Sequence, residues 1–255
     1  MSAAQELIQR VMSHVGAPDT GAATVGDAAQ EVTGIAVMSQ ATLQGLQQAA
    51  AAKANLVFSY DPVFWTGGDD IKRLETDALF LEKQAFIQAH QMAVVTLRDK
   101  LRDAKSDLIA TGMAKALGWQ AESGDANLFR RPRTNLLGLA KELGSKLDDK
   151  TMRVVGDPAL AVATIATSFG NTPQMTGIAA LNGPADVLVC GYAREWEVVE
   201  YAQDLISAGL KKGLVLLGEN ASVQPAMKYC AEWIRDLVTE VPTTFIPLPE
   251  PYWNP

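Results

Sequence analysis

Ser59-Tyr60-Asp61-Pro62 sets a hydroxyl, a phenol and a carboxyl side by side directly after the apolar run Leu56-Val57-Phe58. Such a run, β-prone and without helical spacing, reads as a buried strand, and Pro62 withholds a ladder donor and fixes the exit of the chain. In open α/β sheets ligands bind beyond the carboxyl ends of the strands, so ionisable groups at that position are candidates for proton transfer. Three other places carry polar or flexible groups after an apolar run: Arg98-Asp99 with Arg102, Gly191-Tyr192, and Gly218-Glu219-Asn220. An arginine there grips a carboxylate or phosphate through paired hydrogen bonds. A carboxyl beside Tyr60 becomes a general base if burial lifts its pKa towards neutrality.

The elements that must position these groups follow from periodicity. Leu7, Ile8, Val11, Met12 and Val15 recur at helical spacing up to Gly16, with His14 in the last turn as a dipole-compatible imidazole. A strand over 32–38, an Ala-rich helix over 40–53 and a strand over 55–59 make a βαβ unit with a right-handed, parallel crossover. A helix over 71–90 turns Leu74, Leu79, Leu81, Phe86 and Ile87 inward and ends at His90, read like His14. A strand over 92–95 runs into the charged stretch 96–103, a solvated helix start or part of a site. Helices over 108–119 and 136–147 flank Phe129-Arg130-Arg131-Pro132-Arg133, which could hold an anion or form a solvated surface. Strands follow over 152–155 and 162–166, then a loop over 168–173 and a strand over 186–189. A helix over 195–208, a strand over 213–217, a helix over 223–239 and a strand over 243–246 complete the pattern. The second half repeats the organisation of the first, so the expectation is two α/β halves, 1–125 and 126–255, forming one compact unit. Cys190 and Cys230 read as small core residues rather than nucleophiles. The prolines of 247–255 exclude helix and central strand, and Tyr252 and Trp253 should dock that tail in a groove of its own chain or of a neighbouring subunit.

Composition narrows the function classes. The 255 residues and 48% hydrophobic content suit a globular protein with a sizeable core. Lys and Arg total 22 against 29 Asp and Glu, and the net charge of −7 opposes nucleic acid and anionic membrane surfaces as partners. Two cysteines without metal-ligand spacing, no leader pattern and no long apolar run point to the cytoplasm.

Four segments carry a resemblance: Ser59-Tyr60-Asp61-Pro62-Val63-Phe64, Arg153-Val154-Val155-Gly156-Asp157-Pro158, the run Ala185 to Gly191, and Gly218-Glu219-Asn220-Ala221-Ser222. They resemble the Nif-three-like proteins, also called the GTP cyclohydrolase 1 type 2 or dinuclear-metal-centre hexameric family, over nearly the whole chain. The run Glu195 to Tyr201 and Pro251-Tyr252-Trp253 look like one branch of it. The resemblance implies the Nif-three-like α/β fold, with mixed sheets flanked by helices around a central cleft, and a ring-like homo-oligomer, a hexamer. It also implies metal ligands from a His-His-Pro or His-Glu-Pro motif, a His/Asp-bearing segment and a Gly-His-x-x-Ser-Glu motif. Here these fall on Tyr60-Asp61-Pro62, on Arg98 to Arg102, and on Gly218-Glu219 with Ser222-Val223, so the imidazoles are absent.

What remains, Asp61, Asp99 and Glu219, offers oxygen only, a set for magnesium, manganese or calcium rather than zinc or iron, while Arg98 and Arg102 disfavour a nearby cation. The leading expectation is a divergent member with a degenerate metal site and no cofactor, acting as a metal-independent enzyme or binding protein for an anionic small molecule. Arg98 or Arg102 would hold the substrate, Tyr60, Asp61 or Glu219 would move protons, and Ser59, Tyr192, Asn220 and Ser222 would contact the ligand. The alternatives are a non-catalytic structural or regulatory subunit assembling with a metal-bearing paralogue, and a hydrolase working with a hard divalent ion.

Overall fold

Short apolar runs, buried from end to end, build the first half of the chain. The structure, a computed structural model, describes residues 3–17, 23–66, 71–102, 107–122 and 124–255, with the side chains of Asp99 and Arg102 outside the described set. Helix α1 (Ala4–His14) buries Leu7, Ile8, Val11 and Met12, the face its spacing predicts. Strand β1 (Ile35–Met38), helix α2 (Leu43–Ala51) and strand β2 (Leu56–Ser59) form the expected βαβ unit, with β1 and β2 parallel. Thr42 starts α2 by accepting a hydrogen bond from the Gly45 N–H at 3.0 Å. The helix expected over 71–90 is instead a single 3₁₀ turn at Lys72–Leu74 followed by α3 (Ala78–Ala89). Asp77 caps α3 by accepting from the Phe80 N–H at 2.8 Å, and this local bond interrupts what periodicity reads as one helix. Phe80, Lys83 and Ile87 face inward, so Leu79 and Leu81, expected inside, are exposed. Strand β3 (Ala93–Thr96) pairs parallel with β2 and leads into α4 (Arg98–Arg102).

The next segment runs through α5 (Leu108–Leu117), β4 (Ala121–Glu122), β5 (Asp125–Asn135), α6 (Leu136–Leu147), β6 (Arg153–Val155), β7 (Ala161–Asn171), α7 (Gln174–Asn182), β8 (Val187–Tyr192), α8 (Glu200–Ser207) and β9 (Gly213–Leu216). A π-helical turn, Glu195–Val199, precedes α8. Among the described residues these strands form a mixed six-stranded sheet in the order β4-β5-β7-β8-β9-β6. The basic stretch around Arg131 lies within β5, antiparallel to β7. Strand β7 extends through the expected loop to Asn171 because Gly170, at φ 71°, absorbs an irregular register against β8.

Helix α9 (Glu219–Leu237) is followed by β10 (Thr243–Phe245), which pairs parallel with β1 and completes a four-stranded sheet, β10-β1-β2-β3. The compact units are therefore Met1–Leu108 with Met227–Leu248, and Ile109–Ala226 with Pro249–Pro255. This is not the sequential division at 125 that the repeated pattern suggests. The physical reason is that β1 needs a partner on its outer edge, and β10 supplies it, with Ile246 and Leu248 entering the core around Met38, Val57, Val94 and Phe80. The α/β class holds throughout.

Candidate functional site

Parallel register brings the first group of candidates together. Met38, Ser59 and Thr96 stand in line across β1, β2 and β3, so the residues just beyond them leave the sheet along one edge. The ladder continues past the strands: Asp61 N–H donates to the Ser39 carbonyl at 3.0 Å, and Arg98 N–H donates to the Tyr60 carbonyl at 2.9 Å. Asp61, 8% exposed, is met there by Arg98, whose Nη1 lies 3.3 Å from Asp61 Oδ1. Gln40 Nε2 donates to Asp61 Oδ2 at 3.3 Å from the end of β1. Tyr60 is buried beside them. The Ser59 hydroxyl, wholly buried, donates to the Asp61 carbonyl at 2.9 Å, closing the turn that presents the carboxylate.

Below this turn Lys83 reaches up from α3. Its ammonium donates to the Val63 carbonyl and lies 5.5 Å from the Phe64 ring and 5.4 Å from that of Trp65, while Phe64 packs on Phe80 at 4.6 Å. Burial depresses its pKa to about 8. Gln40 and Lys83 escape the sequence reading. A Lys spaced at i+3 from Phe80 and i−4 from Ile87, on the inner face of α3, is the signal that could have shown the second. Asp99 and Arg102 lie on α4, but their side chains lie outside the described residues.

The second group of candidates belongs to the other unit. Leu217 and Gly218 N–H donate to Cys190 and Gly191 carbonyls at 2.9 Å each, so β8 and β9 end together, with Tyr192 leaving one strand and Glu219 opening α9 after the other. Gly218, at φ 85°, makes the sharp entry into that helix. The buried Ser222 hydroxyl donates to the Glu219 carbonyl at 2.9 Å and accepts from Gly170 N–H at 3.0 Å. Gly191 must lack a side chain, because a Cβ there would lie 2.2 Å from Ser222 Oγ and 2.4 Å from the Gly170 carbonyl oxygen. Asn220 is buried, Glu219 partly so, and Tyr192 is exposed.

Other expected features have defined surroundings. Cys190 and Cys230 are buried, and burial pushes both thiols up to about 12, far from thiolate reactivity. His14 stacks on Trp233 at 5.1 Å, and His90 Nδ1 lies 3.0 Å from the Phe86 carbonyl. In the basic stretch Arg131 donates to Glu142 at 2.9 Å over the Trp119 ring, and Arg130 pairs with Glu122 at 3.4 Å. Among the described residues no three His, Cys, Asp or Glu come together as a metal site, and no helix is long and apolar enough to cross a membrane.

No curated protein sequence matches the chain. Solved structures do. The Staphylococcus aureus hypothetical protein SA1388 is 15% identical over 100% of both chains, with a TM-score of 0.79. A Bacillus cereus protein related to NIF3 is 14% identical over 99% of each chain, with a TM-score of 0.80. Reduced HcgD from Methanocaldococcus jannaschii is 14% identical over 97% of this chain and 98% of that one, with a TM-score of 0.68. At these identities the likeness establishes the fold. The sequence profile described as Duf34/NIF3 (NGG1p interacting factor 3) matches residues 19–210, well over half of the length, and the chain belongs to that family.

Proposed function

We propose that the protein is a divergent family member that binds, and acts on, an anionic small molecule without a metal, at the edge formed by Tyr60, Asp61 and Arg98. The observation that carries this reading is the Arg98 guanidinium seated on Asp61, in the motif where the family resemblance implies a metal. A divalent ion suits this donor set poorly, because the cationic Arg98 guanidinium lies 3.3 Å from Asp61 Oδ1 and Gln40 donates to Oδ2. A guanidinium carries five N–H donors in a rigid fork and can hold Asp61 and a ligand carboxylate or phosphate at the same time. Tyr60 and Asp61 then stand next to that anion as the groups that exchange protons with it, and Ser59 keeps the turn in shape.

The test is elemental analysis of protein purified without chelator, joined to a thermal-shift screen of phosphorylated and carboxylated metabolites. The expected result is no stoichiometric divalent metal and an anionic hit whose affinity falls at least about tenfold in Arg98→Met. A stoichiometric metal that disappears in Asp61→Ala would overturn the reading and return the site to metal-activated hydrolysis. A second reading, a non-catalytic subunit assembling with copies of itself or with a paralogue, draws on the exposed Tyr192, Trp196, Tyr252 and Trp253. It predicts a metal-free oligomer that binds none of the screened anions.

A further inference from the structure

Hydrogen bonds from two sides shape the chain where it leaves β2. Tyr60 and Asp61 N–H donate to the Met38 and Ser39 carbonyls at 3.2 and 3.0 Å, and the Ser59 hydroxyl donates to the Asp61 carbonyl at 2.9 Å. These bonds are neutral and tie the turn to its own sheet. Pro62 then carries the chain to Val63, whose carbonyl accepts from the Lys83 ammonium. That bond comes from α3, and its donor can ionise.

Lys83 is 3% exposed and shares the inner face of α3 with Phe80 and Ile87, two members of the core. Its ammonium gives up water there in return for the Val63 carbonyl and the rings of Phe64 and Trp65, 5.5 and 5.4 Å away. An apolar side chain of similar length would fill the space without that desolvation cost, so core packing does not explain the charge. No carboxylate pairs with Lys83 among the described residues. Asp61 faces Arg98 and Gln40, Asp77 accepts from Phe80 N–H, and Glu82 is exposed. Lys72, Arg73 and Glu75 of the 3₁₀ turn are exposed as well. Strands β2 and β3 and helix α2 carry no titratable side chain, which leaves Tyr60 as the other titratable group of the turn.

We propose that Lys83 is a positioning residue: by clamping the Val63 carbonyl beside the Phe64 and Trp65 rings, its ammonium holds the turn in the shape that seats Asp61 against Arg98. The role rests on the anion-binding reading of that site and adds what controls it. With its proton, Lys83 makes a charge-assisted bond to Val63 and presents a cation to the rings; without it, the amine donates weakly and the attraction of the rings is lost. Pro62, with φ locked, passes the change from the Val63 carbonyl towards Asp61. Desolvation depresses Lys83 to about 8, so the clamp is closed at neutral pH and opens as pH rises through that value. Anion affinity should fall in the same window.

The experiment is ¹³C NMR of the full chain labelled at the aspartate carboxyl carbons, with the Asp61 signal assigned from Asp61→Asn. Followed from about pH 6 to about pH 9.5, a range that brackets the Lys83 titration, that signal should step in the natural protein with a midpoint near 8. In Lys83→Met it should show no step and stay at the natural protein's high-pH position. In Lys83→Arg, which keeps its charge throughout, it should stay at the low-pH position. Calorimetry with inorganic phosphate at neutral pH should show affinity about fivefold or more weaker in Lys83→Met and within about twofold of the natural value in Lys83→Arg. An Asp61 signal that stays flat in the natural protein would overturn the positioning role, and this decides the matter even if neither variant folds. A step that survives in Lys83→Met, or phosphate bound equally by that variant and the natural protein, would overturn it too. A step that depends on Lys83, with no phosphate bound by any of the three proteins, supports the positioning role and counts against the anion-binding reading instead.

Discussion

Single side chains in this protein carry pH signatures that can be measured. Unfolded, Lys83 keeps its proton up to about 10.5; folded, only up to about 8. Between those values unfolding takes up a proton, so stability rises with pH, by up to about 3 kcal/mol. Chemical denaturation across that range should show the rise in the natural protein, and the Lys83→Met variant should lack it while remaining within about 1 kcal/mol at neutral pH. Glu142 gives a slope of the same sign at the acid end of the pH range, but there the charged form is the one the fold stabilises. Burial works against its charge, but hydrogen bonds from Arg131, Lys146 and Trp119 outweigh it and hold the carboxyl at about 2. Its contribution is complete above the unfolded value of 4.5 and is lost as pH falls towards 2. Glu142→Gln should therefore lower stability by about 2 to 3 kcal/mol at neutral pH, with the difference closing in acid. Neither network is legible in the sequence, because Glu142, Arg131 and Trp119 come from α6, β5 and the end of α5 and meet only through packing. The Asp61 and Arg98 pair is partly legible, because both follow buried strands of a parallel sheet whose register aligns them.

Secondary-structure elements repeat this division between local and non-local causes. Helix α6 runs from 136 to 147 as its periodicity predicts, since Asn135 caps it by accepting from Gly138 N–H at 2.7 Å and the signal is contiguous. Helix α7 is missed because its small residues, Gly177 among them, have no strong apolar face; Gly177 is there to admit Val198. Helix α9 begins at Glu219, before Pro225, where apolar spacing alone places its start at 223. The ends of β7, β8 and α9 are joined by Ser222 at Gly191 and Gly170. Gly191→Ala should therefore cost about 3 kcal/mol or more, as the methyl must displace Ser222 Oγ and a backbone carbonyl. A fall in thermal midpoint under about 3 °C would show that the junction yields more readily than this.

At the scale of the whole molecule, the decisive contact is β10 on β1, some two hundred residues apart. A fragment covering 1–125 should fail to unfold cooperatively by circular dichroism, since it lacks β10, Ile246 and Leu248, and a peptide covering 227–248 added in trans should restore a transition. A cooperative transition in 1–125 alone would mean that β10 is dispensable. The α/β class, the early βαβ unit, the core role of both cysteines and the polar turn after β2 were determined by sequence alone, because each rests on periodicity or burial among neighbouring residues. Tertiary structure decided the return of β10, the seating of Arg98 on Asp61, the burial of Lys83 under the turn and the bond from Asn254 of the tail to the Lys150 carbonyl. Those depend on pairing register and on desolvation by distant segments, which no local pattern encodes.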